Sequence, residues 1–270
     1  MMKATIIIPT YQPNEYIYEC LDAIFKQTLP AAEFETIIVL NGPKEPYYTN
    51  LKEYIANNST HNIELLYTET PGVSNARNIA IDKAKGEYIT FVDDDDIITP
   101  NFLEALLAVS SPTCVGVSNG YQFVNDIKEK EEHDITHRFN QAKGKEFSFM
   151  RYRFFLSPVA FKLIHRNIIK NARFNTSLKI SEDAMFGFTI SRRIKEMKCA
   201  DETAIYYYRY RAGSATRKKL DKGYVFKLTF KKLWLFTKVY FSAPFSYNFP
   251  FYLTRLLASI KHMIIMLKQE

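Results

Sequence analysis

Three features of the sequence predict an α/β fold, a mostly parallel sheet flanked by helices, carrying a helical appendage at its C-terminal end. Short apolar runs alternate with amphipathic stretches of about a dozen residues along the first hundred positions. Acidic and polar residues gather where the apolar runs end. The basic excess of the chain is confined to residues 217–270, which hold 11 Lys/Arg against two acids for a net of +9, while residues 1–216 carry −2 of the total +7. With 270 residues, 47% of them hydrophobic, the chain can bury a full core, which excludes a disordered segment.

Taken in order, "ATIIIP" (4–9) is a buried-strand pattern, and 16–28 has helical spacing at Ile17, Leu21, Ile24 and Phe25. "FETIIVLNG" (34–42) is a second strand closed by a turn; a polar helix follows at 47–58, a strand at 63–68, a helix at 73–84 and a strand at 87–92. Strands alternating with helices imply right-handed βαβ units, so the first hundred residues read as a Rossmann-like nucleotide-binding half. In such sheets ligands lie beyond the carboxyl ends of the strands. Pro9, Thr10 and Tyr11, then Asn41, then Asp93 to Asp96 occupy those ends and are expected to meet in one crevice. Thr99 and Pro100 open a helix over 99–109, "TCVGVSNGYQFV" (113–124) is one strand, and the polar stretch 125–146 is a loop. Residues 147–216 carry no clear periodicity but contain "SEDAMF" and "YYYRYRAGSAT".

The run "FVDDDD" places four carboxylates side by side, and like charges about 4 Å apart repel by roughly 1 kcal/mol in water and more near a protein surface. A bound divalent cation would relieve that repulsion: Mg2+ or Mn2+ takes oxygen ligands, often one or two carboxylates with phosphates and water completing the shell. Asp93 and Asp95 have the spacing for this, whereas a solvated turn in which Asp96 caps the next helix is the structural alternative. Downstream of Gly72, Ser74 and Asn75 open a helix whose exposed N-terminus suits an anion, and Arg77 stands ready to hold the aspartates. Glu182 and Asp183 begin a further helical stretch, for which Ser181 is an N-cap candidate. Cys20, Cys114 and Cys199 are too far apart for a disulfide framework or a zinc site, and the five histidines lack ligand spacing. The opening "MMKATIIIPTYQP" lacks the long apolar core of a signal peptide, so a cytoplasmic location is expected.

The ordered set "IIIPTYQ", "GVSNARNIAIDKAKGEYITFVDDDD", "ARFNTSLKISEDAMF" and "YYYRYRAGSAT" resembles family 2 glycosyltransferases, bacterial enzymes of the A-type (GT-A) fold, over residues 3–216. The resemblance implies a catalytic domain at 1–216, divided into a nucleotide-binding half (1–100) and an acceptor-binding half (101–216). It implies an inverting transfer from a nucleotide-sugar to a hydroxyl of a glycan or lipid-linked saccharide, as in bacterial surface polysaccharide synthesis. Asp93 and Asp95 would hold a divalent cation (Mn2+ or Mg2+) on the diphosphate, with Asp94 and Asp96 beside them. Pro9, Thr10, Tyr11, Asn41, Arg77 and Asp94 would bind the donor, and Arg209, Arg211 and Ser214 would belong to a mobile loop closing over the diphosphate. Asp183 would be the general base and Glu182 would orient the acceptor. Where the family commonly has "VDDGS", this chain has "VLNGP", so Asn41 rather than an aspartate is left to face the base, and a UDP-sugar is the leading donor. A nucleotidyltransferase of similar fold and a non-catalytic membrane-bound scaffold are the competing readings.

In the tail, Phe226, Phe230, Leu233, Trp234 and Phe241 fall on one helical face, with Leu253, Leu256, Leu257, Ile260, Ile264 and Leu267 on another. Arg255 and Lys261 interrupt the second stretch, which is too short to span a bilayer. Residues 217–270 are expected to rest on an anionic membrane surface, at the inner face of the plasma membrane, the alternative being that they pack on the catalytic domain. No nucleic-acid motif is present.

Overall fold

The computed structural model describes residues 1–211 and 221–268. Seven strands form the main sheet, in the order β10-β6-β9-β4-β1-β2-β3. Its first half is β1 (Ala4–Thr10), β2 (Phe34–Asn41), β3 (Asn62–Thr68) and β4 (Tyr88–Phe91), all parallel, with β1 between β2 and β4. Every residue of β1 and β2 is buried. That is why they read as unbroken apolar runs: a parallel strand covered by helices on both faces has no solvent side to mark with polar residues. The connecting helices are α1 (Tyr16–Phe25), α2 (Tyr47–Asn58) and α3 (Val73–Lys83). Buried Glu35 accepts hydrogen bonds from Thr5 Oγ1 (2.7 Å) and Gly86 N (3.3 Å), fastening the entry of β4 to β1 and β2.

The chain fills the β2 side of β1 first and then crosses to place β4 on the other side, so a topological switch point lies between the carboxyl ends of β1 and β4. Beyond it come β5 (Ile97–Ile98), α4 (Phe102–Val109), β6 (Cys114–Val117) and β7 (Asn119–Phe123). The helix expected from Thr99 starts at Phe102, and the strand expected over 113–124 is two strands in different sheets. Ser118 N donates to Phe161 O at 2.9 Å, and there the chain leaves the main sheet for a second one, ordered β5-β11-β7-β8.

The stretch expected as a loop over 125–146 instead contains β8 (Glu131–Glu132) and the helix α5 (Asp134–Ala142). Its start is secured locally: Ile135 N donates to His133 Nδ1 (3.2 Å) and His133 N donates to Thr136 Oγ1 (2.9 Å). Ile135, Phe139 and Ala142 form the buried face of α5, an i, i+4, i+7 pattern diluted by polar neighbours.

The remaining elements are α6 (Phe149–Tyr152), β9 (Lys162–His165), α7 (Arg166–Ile169), α8 (Glu182–Ser191), β10 (Glu196–Cys199) and β11 (Ile205–Arg209). A Cβ on Gly187 would lie 2.1 Å from Leu156 O, so α8 approaches the turn at 153–156 in a way only glycine permits.

The basic tail forms α9 (Lys222–Phe241) and α10 (Phe249–Lys268). They pack on each other and on α8: Phe188 meets the rings of Phe236, Tyr247, Phe251 and Tyr252 at centroid distances of 5.0–6.2 Å. One face of the tail therefore joins the common core. The opposite face leaves Phe226, Phe230, Trp234, Phe241, Leu253, Leu257, Ile260 and Ile264 in solvent. No helix among the described residues is long and apolar enough to cross a membrane.

Candidate active site

The site is built where the switch point leaves the ends of β1, β2 and β4 side by side. Thr10 Oγ1, at the end of β1, donates to Asp94 Oδ2, and Asn41 Nδ2, at the end of β2, donates to Thr10 O at 2.7 Å. Asn41 Oδ1 accepts from Gly72 N at 2.8 Å, tying the loop before α3 to the same point. The donor and acceptor expected to face a base are thus committed to backbone, though Asn41 still lines the cavity. Leu40 is fully buried, so the position after Val39 does not look into the crevice at all.

An open cavity of about 590 Å³ lies against these residues, lined among others by Tyr11, Pro71, Gly72, Ser74, Leu178 and Lys179. Tyr11 is half exposed, and its ring rests on Gly42, where a Cβ would come within 2.5 Å of Cε2. Gly42 also has φ +99°, so the "NG" pair both turns the chain and seats the ring. Pro9 lies within β1, paired opposite Val39, and supports Thr10 from below. Leu178 and Lys179 were not singled out from the sequence; they come from an irregular stretch that no periodicity marks.

The four aspartates are not equivalent. Asp96 is buried and accepts from Tyr206 Oη (2.6 Å) and Arg209 N (2.8 Å), so it serves the second sheet and does not cap a helix. Asp94, turned onto Thr10, has its carboxyl pushed up to about 7 by burial, with Asp95 and Asp93 adding to the rise. Asp93 is the most open: its side chain is 40% exposed and pairs with Arg77 Nη2 at 2.9 Å. Asp95 Oδ2 lies 2.6 Å from Arg211 Nε, and its own carboxyl is raised by burial despite that partner. Asp93 N donates to Tyr206 Oη at 3.1 Å, which fixes the start of the run.

Arg77 sits at the centre. It is 3% exposed, and the same guanidinium reaches Asp183 Oδ1 through Nη1 (2.7 Å) and Glu182 Oε1 at 3.8 Å. Burial alone would lower its pKa, but Asp183, Asp93 and Glu182 outweigh that and hold it charged. Asp183 Oδ2 accepts from Val159 N at 3.1 Å. Burial pushes the Asp183 carboxyl above the usual range against the pull of Arg77, and burial with the Asp183 charge pushes Glu182 to about 7.

Lys162, which the sequence gave no reason to select, underlies this geometry. Fully buried, its ammonium donates to Phe155 O (2.7 Å), Pro158 O and Ala160 O (3.3 Å), shaping the loop that offers Val159 N to Asp183. Burial lowers its pKa to about 7.

Ser181 does not cap α8; it takes a left-handed conformation (φ 69°) and makes no capping bond. Arg209, expected on a mobile loop, ends β11 with its side chain buried: Nε donates to Asp95 O (2.8 Å) and Nη2 to Glu19 Oε2 (2.6 Å), over the ring of Tyr16. Arg211 follows it, and Ser214 lies outside the described residues.

Among the described residues, no three His, Cys, Asp or Glu side chains are grouped to hold a metal by themselves. Asp93, whose side chain is 40% exposed, and Asp95, 12% exposed beside Arg211, fit the other mode, in which a hard cation takes one or two protein oxygens and the rest from a diphosphate and water.

Acidic side chains beside a cavity at the switch point of a mostly parallel sheet, with a smaller second sheet alongside, are the arrangement of the GT-A class of α/β proteins. The profile described as "Glycosyl transferase family 2" matches residues 5–178, and the chain belongs to that family. Among curated relatives, it is 26% identical over 217 residues to the poly(ribitol-phosphate) beta-N-acetylglucosaminyltransferase TarS of Staphylococcus aureus, an alignment covering 79% of this chain and 36% of TarS. This chain therefore spans about a third of that relative's length. Residues 1–349 of S. aureus TarS in complex with UDP-GlcNAc superpose with a TM-score of 0.72 at 22% identity, covering 88% of this chain and 67% of the other. The mannosyltransferase PcManGT of Pyrobaculum calidifontis, in complex with GDP-Man and Mn2+, gives 0.60 at 15%, covering 96% and 75%. These two likenesses bear on the fold.

Proposed function

We propose that the chain transfers a sugar, with inversion, from a nucleoside-diphosphate sugar to a hydroxyl of a glycan or lipid-linked saccharide in surface polysaccharide synthesis. The observation that carries this reading is the single guanidinium of Arg77 bridging Asp93 and Asp183. One buried guanidinium thereby links Asp93, at a strand end of the first half, to the acid pair Glu182 and Asp183 of the second half.

In this reading the base and ribose of the donor lie in the cavity between Tyr11 and the loop before α3, the ring of Tyr11 stacking on the base. Asp93 and Asp95 would hold Mn2+ or Mg2+. Bound there, the cation would stabilise the charge that develops on the departing diphosphate. Arg211, beside Asp95, adds positive charge at the same end of the site. Asp183 receives the proton of the attacking hydroxyl on its carboxylate. Its two oxygens are oriented by Arg77 and Val159 N, and its raised pKa makes it a better proton acceptor than an exposed aspartate. Glu182, next to it, orients the acceptor. Direct displacement requires no covalent intermediate on the protein.

A UDP-sugar is the first donor to test, supported by UDP-GlcNAc in the similarly folded TarS and by the relative's name. The exposed apolar face of α9 and α10, ringed by Lys227 and Lys238, suits a peripheral position on an anionic leaflet on the cytoplasmic side. Asp183→Asn in the full chain should keep UDP-sugar binding, read by thermal shift with Mn2+, while turnover falls by roughly 10²–10⁴-fold. Unchanged turnover would favour nucleotidyl transfer, which does not need this base. Binding of no UDP-, GDP- or dTDP-sugar with Mn2+ would favour a non-catalytic scaffold.

A further inference from the structure

Away from the donor crevice, a second cavity of about 310 Å³ opens between the start of α8 and the two tail helices. Ser157, Ser181, Lys232, Arg255 and His262 line it, with Ala184, Ala258 and Ser259 leaving the space open. Lys232 is 1% exposed and Arg255 6%. Among the described residues neither is paired with a carboxylate. Lys232 Nζ has the ring nitrogen of His262 at 3.3 Å, and Arg255 Nη1 donates to Ser157 Oγ at 2.8 Å while its Nε has no partner.

Lys162 shows how this fold satisfies a buried ammonium for structural ends, with three carbonyls around it. Lys232 has nothing comparable. A buried charge with no opposite charge beside it is destabilising, so Lys232, held only by His262, and Arg255, held by Ser157 and the ring of Phe251 at 4.8 Å, leave room for a negative group that the cavity lining does not supply. Burial lowers Lys232 to about 8 and Arg255 to about 10, with Arg153 adding its repulsion at Arg255; His262 is lowered by burial and by Lys232.

Glu182 and Asp183 do not line the cavity, but their neighbours on the first turn of α8 do. Ser181 and Ala184 flank Glu182 and Asp183 on the first turn of α8, and Ser157, which accepts from Arg255, lies two residues before Val159, which donates to Asp183.

We infer that this cavity is a phosphoryl subsite for the acceptor, in which Lys232 and Arg255 hold the oxyanion of a phosphate ester and present the acceptor's hydroxyl side to Asp183. The inference rests on the proposed glycosyl transfer for the word acceptor, while the anion site itself rests on the unpaired cations. Either a soluble polyol phosphate or a lipid-linked phosphate supplies this chemistry.

The test uses the full chain with UDP and Mn2+ present to fill the donor crevice. Glycerol 1-phosphate and dihexanoyl phosphatidic acid are titrated separately, with glycerol and with sodium chloride at matched ionic strength as controls, and the melting temperature is read. A phosphate-specific rise is expected, lost in Lys232→Met and Arg255→Met, with Lys232→Met melting at or above the wild type in the absence of phosphate. A larger response to the lipid points to a lipid-linked acceptor, and an equal or larger one to the glycerol ester points to a polyol phosphate; both uphold the subsite. No phosphate-specific rise in the wild type, or a rise retained in the variants, overturns it. Should Arg255→Met not fold, acetylation of Lys232 by acetic anhydride, followed by mass spectrometry, decides: phosphate should protect it, and equal labelling contradicts the proposal. Loss of the UDP–Mn2+ shift itself would strike the donor reading, whereas loss of the phosphate response alone strikes only this one.

Discussion

Arg77 explains how the fold tolerates so many acids in one place. A buried guanidinium shared among Asp93, Asp183 and Glu182 offsets repulsion that no exposed lysine would, and removing one partner of such a pair typically costs about 3–5 kcal/mol. Asp94 has no comparable relief: its carboxyl is raised to about 7, chiefly by burial. A folded pKa above the unfolded one means that the stabilising contribution is complete at low pH and is lost as pH rises through about 7. Asp94→Asn, which keeps an oxygen for Thr10, should therefore raise stability by about 2–4 kcal/mol at pH 8 and leave it nearly unchanged near pH 3.5. Denaturant melts at the two pH values check this; equal effects at both would contradict it. The acids, Arg77 and Tyr11 were legible because strand ends and motif order mark them. Lys162 was not, since it lies in a stretch without clear periodicity, and Tyr206, although it opens the "YYYRYRAGSAT" motif, had no role of its own there; only long-range packing turns them toward Val159's loop and the aspartates.

The first four strands and three helices stand close to where the apolar runs put them, because burial on both faces writes a parallel strand plainly into sequence. Elements that serve only one face were harder to see. Helix α5 hides its apolar stripe among polar residues, and the break at Ser118 depends on a bond to Phe161 that lies 43 positions away. The tail helices take the packing alternative, joining the catalytic domain through Phe236, Phe251 and Tyr252, and they leave a second apolar face open. Truncating at 216 would expose Phe188 and confound any membrane assay. A sharper experiment substitutes exposed residues in the full chain: Phe230→Gln with Trp234→Gln and Leu257→Gln, at positions 69%, 59% and 65% exposed, should leave the melting temperature unchanged. Sedimentation with vesicles containing anionic lipid should then show clearly weaker binding. Undiminished binding by this variant would remove the membrane role.

At the scale of the whole molecule, the fold converts sequence distance into proximity. Arg77 and Asp183 are 106 residues apart, Asp96 and Arg209 113, and both pairs meet at the switch point between β1 and β4. The main sheet presents the acids and the cavity, the second sheet fixes Asp95 and Asp96 from behind through Arg209 and Tyr206, and α8 carries Asp183, the proposed base. The account stands or falls on whether Asp93 and Asp95 hold a cation on the donor diphosphate. Isothermal titration of UDP-GlcNAc, with and without Mn2+, into the wild type and into the Asp93→Ala, Asp95→Ala double variant measures this directly. The wild type should bind more tightly with Mn2+ and the variant should lose that gain; a variant whose Mn2+-dependent affinity matches the wild type would contradict the mechanism.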